Sequence, residues 1–279
     1  MMAIKKWPNW ILVNIIYKGG TRCLSLLAFN RARTRAILRV GPHSKEVLSL
    51  AQVRSKKSTS EGPAPEDNPK KKRLTNYEKD QISLPKELQE ILIGLLLGDV
   101  YAQRRRTKGN TYLYFEQGLV HKNYLFHLFN LFKNYCRSEP RTSDRLADKR
   151  TGKIYTRVLF STYSLPCFNE LHSMFYPKGK KIVPLNIEKL LTPLGLVYWI
   201  CDDGSYCKKH KYIRLATNSY TLQEVSLLLG VLSTKFNLDC YLVVAGSGYV
   251  ITIAARSVLD LQPILKPIMP SMMMHKIGL

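Results

Sequence analysis

The chain has 279 residues, enough for one large domain or two of ordinary size, and 45% of them are hydrophobic, enough to fill a core. Lys and Arg number 43 against 20 Asp and Glu, giving a net charge of +23 and a pI near 9.8; that excess points to nucleic acid or an anionic surface as the partner. No apolar run approaches the ~20 residues of a membrane span, the longest being Ile91–Leu97, so none is predicted.

Residues 1–73 hold 16 Lys/Arg and 4 Asp/Glu, and residues 74–279 hold 27 and 16. The part expected to fold is therefore basic by itself. Residues 1–60 contain a single acid, Glu46, a composition shared by organellar transit peptides and by the leader of a fused reading frame. Residues 55–73 are rich in Pro, Ser and charge and read as a poorly ordered linker ending in the basic run Lys70–Arg73.

The ordered part is expected to begin near Leu74. Leu84-Pro85-Lys86-Glu87 resembles a helix start, with Pro in the first turn and an acid beside it, and a first helix is predicted from Lys86 to Asp99. Thr111–Gln117 then alternates, Leu113 and Phe115 opposite Tyr112, Tyr114 and Glu116, the period of a strand. Lys122–Cys136 returns to helical spacing, Ile154–Ser161 alternates again, and Ser164–Tyr176 is helical. The second half repeats the order: a helix over Ile187–Asp203, a strand over Tyr212–Thr217, a helix over Leu222–Phe236, a hairpin over Tyr241–Ala254 turning at residues 246–248, and a helix over Val258–Ile268. The spans Ser164…Pro177 and Ser257…Pro270 have equal length and lie 93 residues apart. The chain reads as an internal duplication, with halves at 74–186 and 187–279, each helix, strands, helix, strands, helix. Two such halves make an α+β protein with two antiparallel sheets.

Two segments stand out in that duplication. Leu92-Ile-Gly-Leu-Leu-Leu-Gly-Asp99-Val and Leu196-Val-Tyr-Trp-Ile-Cys-Asp-Asp203-Gly are apolar helical runs that each stop at an acid, 104 residues apart. Gly94 and Gly98 fall on one helix face, and each costs a helix interior about 1 kcal/mol relative to alanine. The compensation expected is a close crossing with the other motif helix, where Gly195 serves similarly. Asp99 and Asp203 would converge at helix C-termini, where the dipole disfavours an anion and like charges repel. A divalent cation offsets both, and Mg²⁺, which takes one or two carboxylates and fills its shell with water and phosphate oxygens, fits this pair. That arrangement suits metal-assisted phosphodiester hydrolysis. Asp202, about 100° around the helix from Asp203, reads as secondary, and whether Glu116 or Gln117 reaches the site is open. The six cysteines (Cys23, Cys136, Cys167, Cys201, Cys207, Cys240) form no Cys-x-x-Cys pair and lack zinc-finger spacing with His210; scattered thiols fit a reducing compartment. No His-Asn-His array is present.

These segments resemble the LAGLIDADG homing endonuclease family in its single-chain, two-motif form. The first matches through Gly94, Leu95, Gly98 and Asp99, the second through Leu196, Ile200, Asp203 and Gly204. The wider stretch Leu191–Ser205, with Ser164–Leu171 and Phe175-Tyr-Pro, resembles an organellar-intron branch of the family. The resemblance spans about Pro85 to Gly278. Val100, where the first motif usually carries glycine, and Tyr198, Cys201 and Asp202 depart from the pattern. The resemblance implies two pseudo-symmetric αββαββα halves, each giving an antiparallel sheet to a DNA-binding saddle, with the motif helices at the interface. It implies Mg²⁺ held by Asp99 and Asp203, and basic residues at Lys181 and Lys276 that support the transition state. Within that picture the outward strand positions and hairpin ends supply Gln103, Arg104, Arg105, Arg106, Tyr112, Tyr114, Arg157, Lys208, Lys209, Lys211, Tyr212 and Arg214 to DNA, some reading bases and some touching phosphate.

The expected function is Mg²⁺-dependent, site-specific cutting of double-stranded DNA at an intron-insertion target by a monomer with no membrane contact. The alternative is an RNA maturase that assists splicing of its group I intron, with intron RNA as partner. A catalytically silent DNA-binding regulator is a third reading, disfavoured by retention of both aspartates. The resemblance suggests a mitochondrial location, with the chloroplast as alternative.

Overall fold

The computed structural model describes residues 73–106, 109–246 and 248–279; what the sequence suggests for residues 1–72 lies outside the described residues. Eight helices and eight strands are described. Helix α1 (Asn76–Asp80) opens with a capping box in which Thr75 and Glu78 satisfy each other's backbone amides. Helix α2 (Lys86–Leu97) starts directly after Pro85 and buries every residue from Ile91 to Leu97. From Ile91 onward it is apolar all round because that part is surrounded by protein.

Strands β1 (Tyr101–Arg104), β2 (Thr111–Gly118), β3 (Arg141–Asp144) and β4 (Thr156–Ser161) form an antiparallel sheet of order β1-β2-β4-β3. Alternation sets its faces. Leu113 and Phe115 point to the core, and Phe115 stacks on Phe160 with ring centroids 4.4 Å apart and meets Phe132 of α3 (Lys122–Phe132) at 5.3 Å. Helix α4 (Asn169–Phe175) closes the first half.

The second half repeats the plan. After α5 (Ile187–Leu190), α6 (Pro193–Asp203) runs into β5 (Gly204–Tyr206). β6 (Ile213–Leu215), β7 (Cys240–Ala245) and β8 (Gly248–Ile253) complete a sheet of order β5-β6-β8-β7. Helix α7 (Leu222–Lys235) lies between β6 and β7, with a second capping box at Thr221 and Glu224, and α8 (Ala255–Leu265) follows β8. The identical strand orders are the duplication read from the sequence, and the fold is α+β with two four-stranded antiparallel sheets.

Several boundaries differ from expectation. The helix expected over Ile187–Asp203 is two: Leu191 is extended, Thr192 caps α6 by accepting from the Gly195 amide, and Pro193 takes the first turn, where its missing N–H costs nothing. No period in the sequence marks the short edge strands β1, β3 and β5, three or four residues being too few to show one, and only the family resemblance implied four strands in each half. The two closing helices are not equal, at seven and eleven residues. A 3₁₀ segment over Ser271–Ile277, unforeseen in the sequence, follows α8.

Candidate active site between the motif helices

Helices α2 and α6 cross at their glycines. A Cβ on Gly94 would lie 1.9 Å from the Gly195 carbonyl oxygen, and one on Gly195 would lie 3.0 Å from the Glu90 carbonyl oxygen. Backbone meets backbone here, which only glycine permits. Thr192 adds a side-chain tie, its hydroxyl donating to Glu90 at 2.9 Å. Tyr198 does not hold the helices apart: its hydroxyl lies 2.9 Å from His127 of α3.

The crossing delivers both acids to one place, but unequally. α6 stays helical through Asp203, whereas α2 ends at Leu97 with Gly98 as its cap. Asp99 therefore sits two residues past its helix, not at the helical end the sequence suggested. The Val100 amide takes the Leu95 carbonyl at 3.0 Å, and the Leu97 carbonyl accepts from the buried Tyr220 hydroxyl at 2.8 Å. Asp99 receives Gln117 Nε2 on its Oδ2 at 3.0 Å, and Asp203 receives Trp199 Nε1 on its Oδ2 at 3.2 Å. Burial, reinforced by the charge of Asp99, pushes the Asp203 carboxyl up to about 7.

Two lysines close the arrangement. Lys181 Nζ donates to the carbonyls of Gly98 at 2.5 Å and Val100 at 3.2 Å, and Lys276 Nζ donates to the Gly204 carbonyl at 2.7 Å. The unforeseen 3₁₀ segment is what carries Lys276 in. Burial pushes the Lys181 ammonium down to about 8, against the opposing pull of Asp203, Asp202 and Asp99.

Asp202 is where the sequence reading needs correction. It is not a peripheral neighbour of Asp203: its carboxyl accepts from the Asp99 amide at 3.0 Å and from the Tyr124 hydroxyl at 3.0 Å. A Cβ on Gly98 would lie 2.6 Å from the Asp202 Cβ, so the two residues face each other across the crossing. Burial drives the Asp202 carboxyl well above the ordinary range. Of the two residues left open, Gln117 reaches Asp99, whereas Glu116 lies on the outer sheet face, accepting from Tyr114, paired with Arg157 at 2.7 Å and with Arg145. No sequence signal marks Asp202 or Tyr124, whose roles arise from the crossing angle.

The outer face of the first sheet carries Gln103, Tyr112 and Tyr114, with Gln103 directly opposite Tyr112 in register and accepting from its hydroxyl at 2.5 Å. Arg105, exposed beyond β1, lies over the Tyr112 ring at 5.2 Å, and Arg106 is exposed beside it. Arg157 is on this face but tied to Glu116. Arg104 is the exception and a correction. It shares the inward side of β1 with Ala102 and donates to Thr111 at 3.0 Å, the Asn169 carbonyl at 2.8 Å and Ser173 at 3.3 Å, which turns it toward α4. On the second sheet, Arg214 lies over Tyr212 at 5.1 Å, and Lys208, Lys209 and Lys211 crown the exposed β5–β6 turn.

Asp99 and Asp203, with the carbonyls around them, offer oxygen donors suited to a hard divalent ion. Among the described residues no group of three or more His, Cys, Asp or Glu side chains has metal-holding geometry, so a bound ion would need ligands besides such side chains. No helix of the described residues is long and apolar enough to cross a membrane.

The fold, the duplicated motif and the paired acids define a class, and comparison with known proteins gives the same one. A model of the LAGLIDADG DNA endonuclease family matches residues 89–261, and the chain belongs to that family. It is 36% identical over 201 residues to the cytochrome b mRNA maturase bI2 of Debaryomyces hansenii, covering 70% of this chain and 75% of that protein. It is 28% identical over 212 residues to the DNA endonuclease I-ChuI of Chlamydomonas applanata, covering 71% of this chain and 97% of that one. Among solved structures it is similar to the homing endonuclease I-WcaI bound to its DNA recognition sequence, with a TM-score of 0.67, 28% identity, and coverage of 72% of this chain and 90% of that chain.

Proposed function

We propose that this protein is a site-specific endonuclease that cuts both strands of double-stranded DNA at a long intron-insertion target, using Mg²⁺ held by Asp99 and Asp203. The observation that carries the reading is the paired arrangement at the helix crossing: two acids, each beside a carbonyl that accepts from a lysine, Lys181 for Gly98 and Lys276 for Gly204. RNA binding alone requires no such pairing. Family membership and similarity to a DNA-bound homing endonuclease support it.

When bound, a divalent ion would lower the pKa of an attacking water and polarise the scissile phosphate. The chain's own groups do the rest. Gln117 orients the Asp99 carboxylate through its 3.0 Å hydrogen bond, and Trp199 orients that of Asp203. Lys181 and Lys276 hold positive charge beside the acids, where charge builds on the phosphate in the transition state. The outward residues Gln103, Arg105, Arg106, Tyr112, Tyr114, Lys208, Lys209, Lys211, Tyr212 and Arg214 contact DNA, and Arg157 joins them while paired to Glu116. The working species is a monomer, since one chain supplies both acids, and the place of action is an organelle, the mitochondrion before the chloroplast. The test is Mg²⁺-dependent cutting of intron-free exon-junction DNA; a wild-type chain that cuts no such junction while Ca²⁺ supports tight DNA binding would refute it.

The second reading, assistance to splicing of the host intron, is favoured by the resemblance to the bI2 maturases of D. hansenii and Saccharomyces cerevisiae; this chain spans 46% of the latter protein. Tight, specific binding of intron RNA without DNA cutting would move it to first place.

A further inference from the structure

We propose that Asp202 is a positioning residue through which the second half of the molecule fixes the geometry of Asp99 in the first. This deepens the endonuclease reading and rests on it. The Asp99 amide has lost its helical partner. In a continuing helix the Asp99 N–H would bond to the carbonyl of Leu95 four residues back, but α2 ends at Leu97, and that carbonyl is taken by the Val100 amide at 3.0 Å. Asp99 is exposed, so its N–H could turn to water; instead it takes an acceptor fixed in the protein. Asp202 Oδ2 supplies it at 3.0 Å from across the crossing.

The supplier is itself held. Tyr124, buried in α3 of the first half, donates its hydroxyl to Asp202 Oδ1 at 3.0 Å. The carboxyl is therefore clamped at both oxygens by groups of the first half while its backbone belongs to α6. Gly98 makes room for it: the 2.6 Å approach a Cβ there would make to the Asp202 Cβ excludes any larger residue. The arrangement has no counterpart in the other direction. Gly98 occupies the motif position equivalent to Asp202, and Asp203 lies within its own helix. One acid is thus placed by its helix, the other by a carboxyl reaching over from the opposite half.

The reading separates Asp202 from a metal ligand and from a packing residue by the variants it tolerates. Asp202→Asn keeps an acceptor for the Asp99 amide and offers its amide group to the Tyr124 oxygen; Asp202→Ala keeps neither. In the full chain, Asp202→Ala should slow single-turnover cleavage on the order of 10²-fold, with DNA affinity in Ca²⁺ unchanged within about threefold, while Asp202→Asn stays within about fivefold of wild type. Amide exchange at Asp99, followed by NMR without DNA or metal, should accelerate in Asp202→Ala and stay slow in Asp202→Asn. Should Asp202→Ala not fold, Tyr124→Phe, which removes one of the two clamps, should show both effects in weaker form. Wild-type cleavage by Asp202→Ala overturns the proposal, as does an Asp202→Asn protein as inactive as Asp99→Asn, which would make Asp202 a ligand. Unchanged Asp99 exchange in Asp202→Ala also overturns it. If the wild-type chain cuts no DNA, the endonuclease reading fails by itself, and the exchange measurement still decides whether Asp202 fixes Asp99.

Discussion

Lys181 and Lys276 occupy mirrored places in the two halves: one donates to the carbonyl preceding Asp99, the other to the carbonyl following Asp203. Neither lies in a motif helix, and each arrives from the segment that follows its half's closing helix. If they stabilise charge building on the phosphate, Lys181→Met and Lys276→Met should each lower the single-turnover cleavage constant by roughly 10²-fold while leaving binding in Ca²⁺ nearly unchanged. Gel-resolved cleavage kinetics beside a binding titration checks this.

The helix crossing predicts a contrast between two glycines. A Cβ on Gly94 would lie 1.9 Å from the Gly195 carbonyl oxygen, whereas one on Gly230 in α7 would meet nothing within 4 Å. Gly94→Ala must push backbone from backbone and should destabilise the fold by about 1–3 kcal/mol or more. Gly230→Ala should stabilise it by about 0.5–1 kcal/mol through helix propensity. Urea unfolding of both variants gives the comparison directly.

Asp203 sets a pH dependence. Its carboxyl titrates near 3.8 when unfolded and is pushed up to about 7 in the fold by burial and Asp99. The folded state then binds the proton more tightly, so the contribution of Asp203 to stability is full below the unfolded value and is lost as pH rises through about 7. Without divalent ions, Asp203→Asn should be close to neutral only below the unfolded value, already stabilising by about 1–2 kcal/mol at about pH 5, and stabilising by on the order of a few kcal/mol at about pH 8. Mg²⁺ added at the higher pH should stabilise the wild type and not the variant. Thermal unfolding at the two pH values, with and without Mg²⁺, reads all four cases.

The two arginines Arg104 and Arg214 should behave differently toward DNA. Arg214 faces outward beside Tyr212, while Arg104 is bonded to Asn169 and Ser173 of α4. If Arg214 touches a phosphate, Arg214→Ala should reduce the slope of log K against log salt by about one. Arg104→Ala should leave that slope alone and lower the unfolding temperature instead. Binding titrations across a salt series, beside thermal melts, separate the two.

Much of this was legible in the sequence because it was periodic and repeated. The alternation of Leu113 and Phe115 against Tyr112 and Tyr114 marked β2, and two acids each ending an apolar run marked the pair at Asp99 and Asp203. What escaped the reading has a common cause. β1, β3 and β5 are too short to show a period. The break before Pro193 depends on the Thr192 side chain accepting from the Gly195 amide. Arg104 was misread because a run of three arginines hides the alternation that turns one of them inward. Asp202 was set aside because a helix wheel turns it away from Asp203; that same turn aims it at the opposite half, which a single helix does not reveal.

The most direct test of the central claim is cleavage of intron-free organellar exon-junction DNA by the full chain, in Mg²⁺ and in Ca²⁺, for the wild type, Asp99→Asn and Asp203→Asn. The paired-acid account predicts a double-strand cut at one junction with Mg²⁺, binding without cutting with Ca²⁺, and loss of cutting in both variants with DNA binding retained. Double-strand cutting that persists in either variant would contradict it.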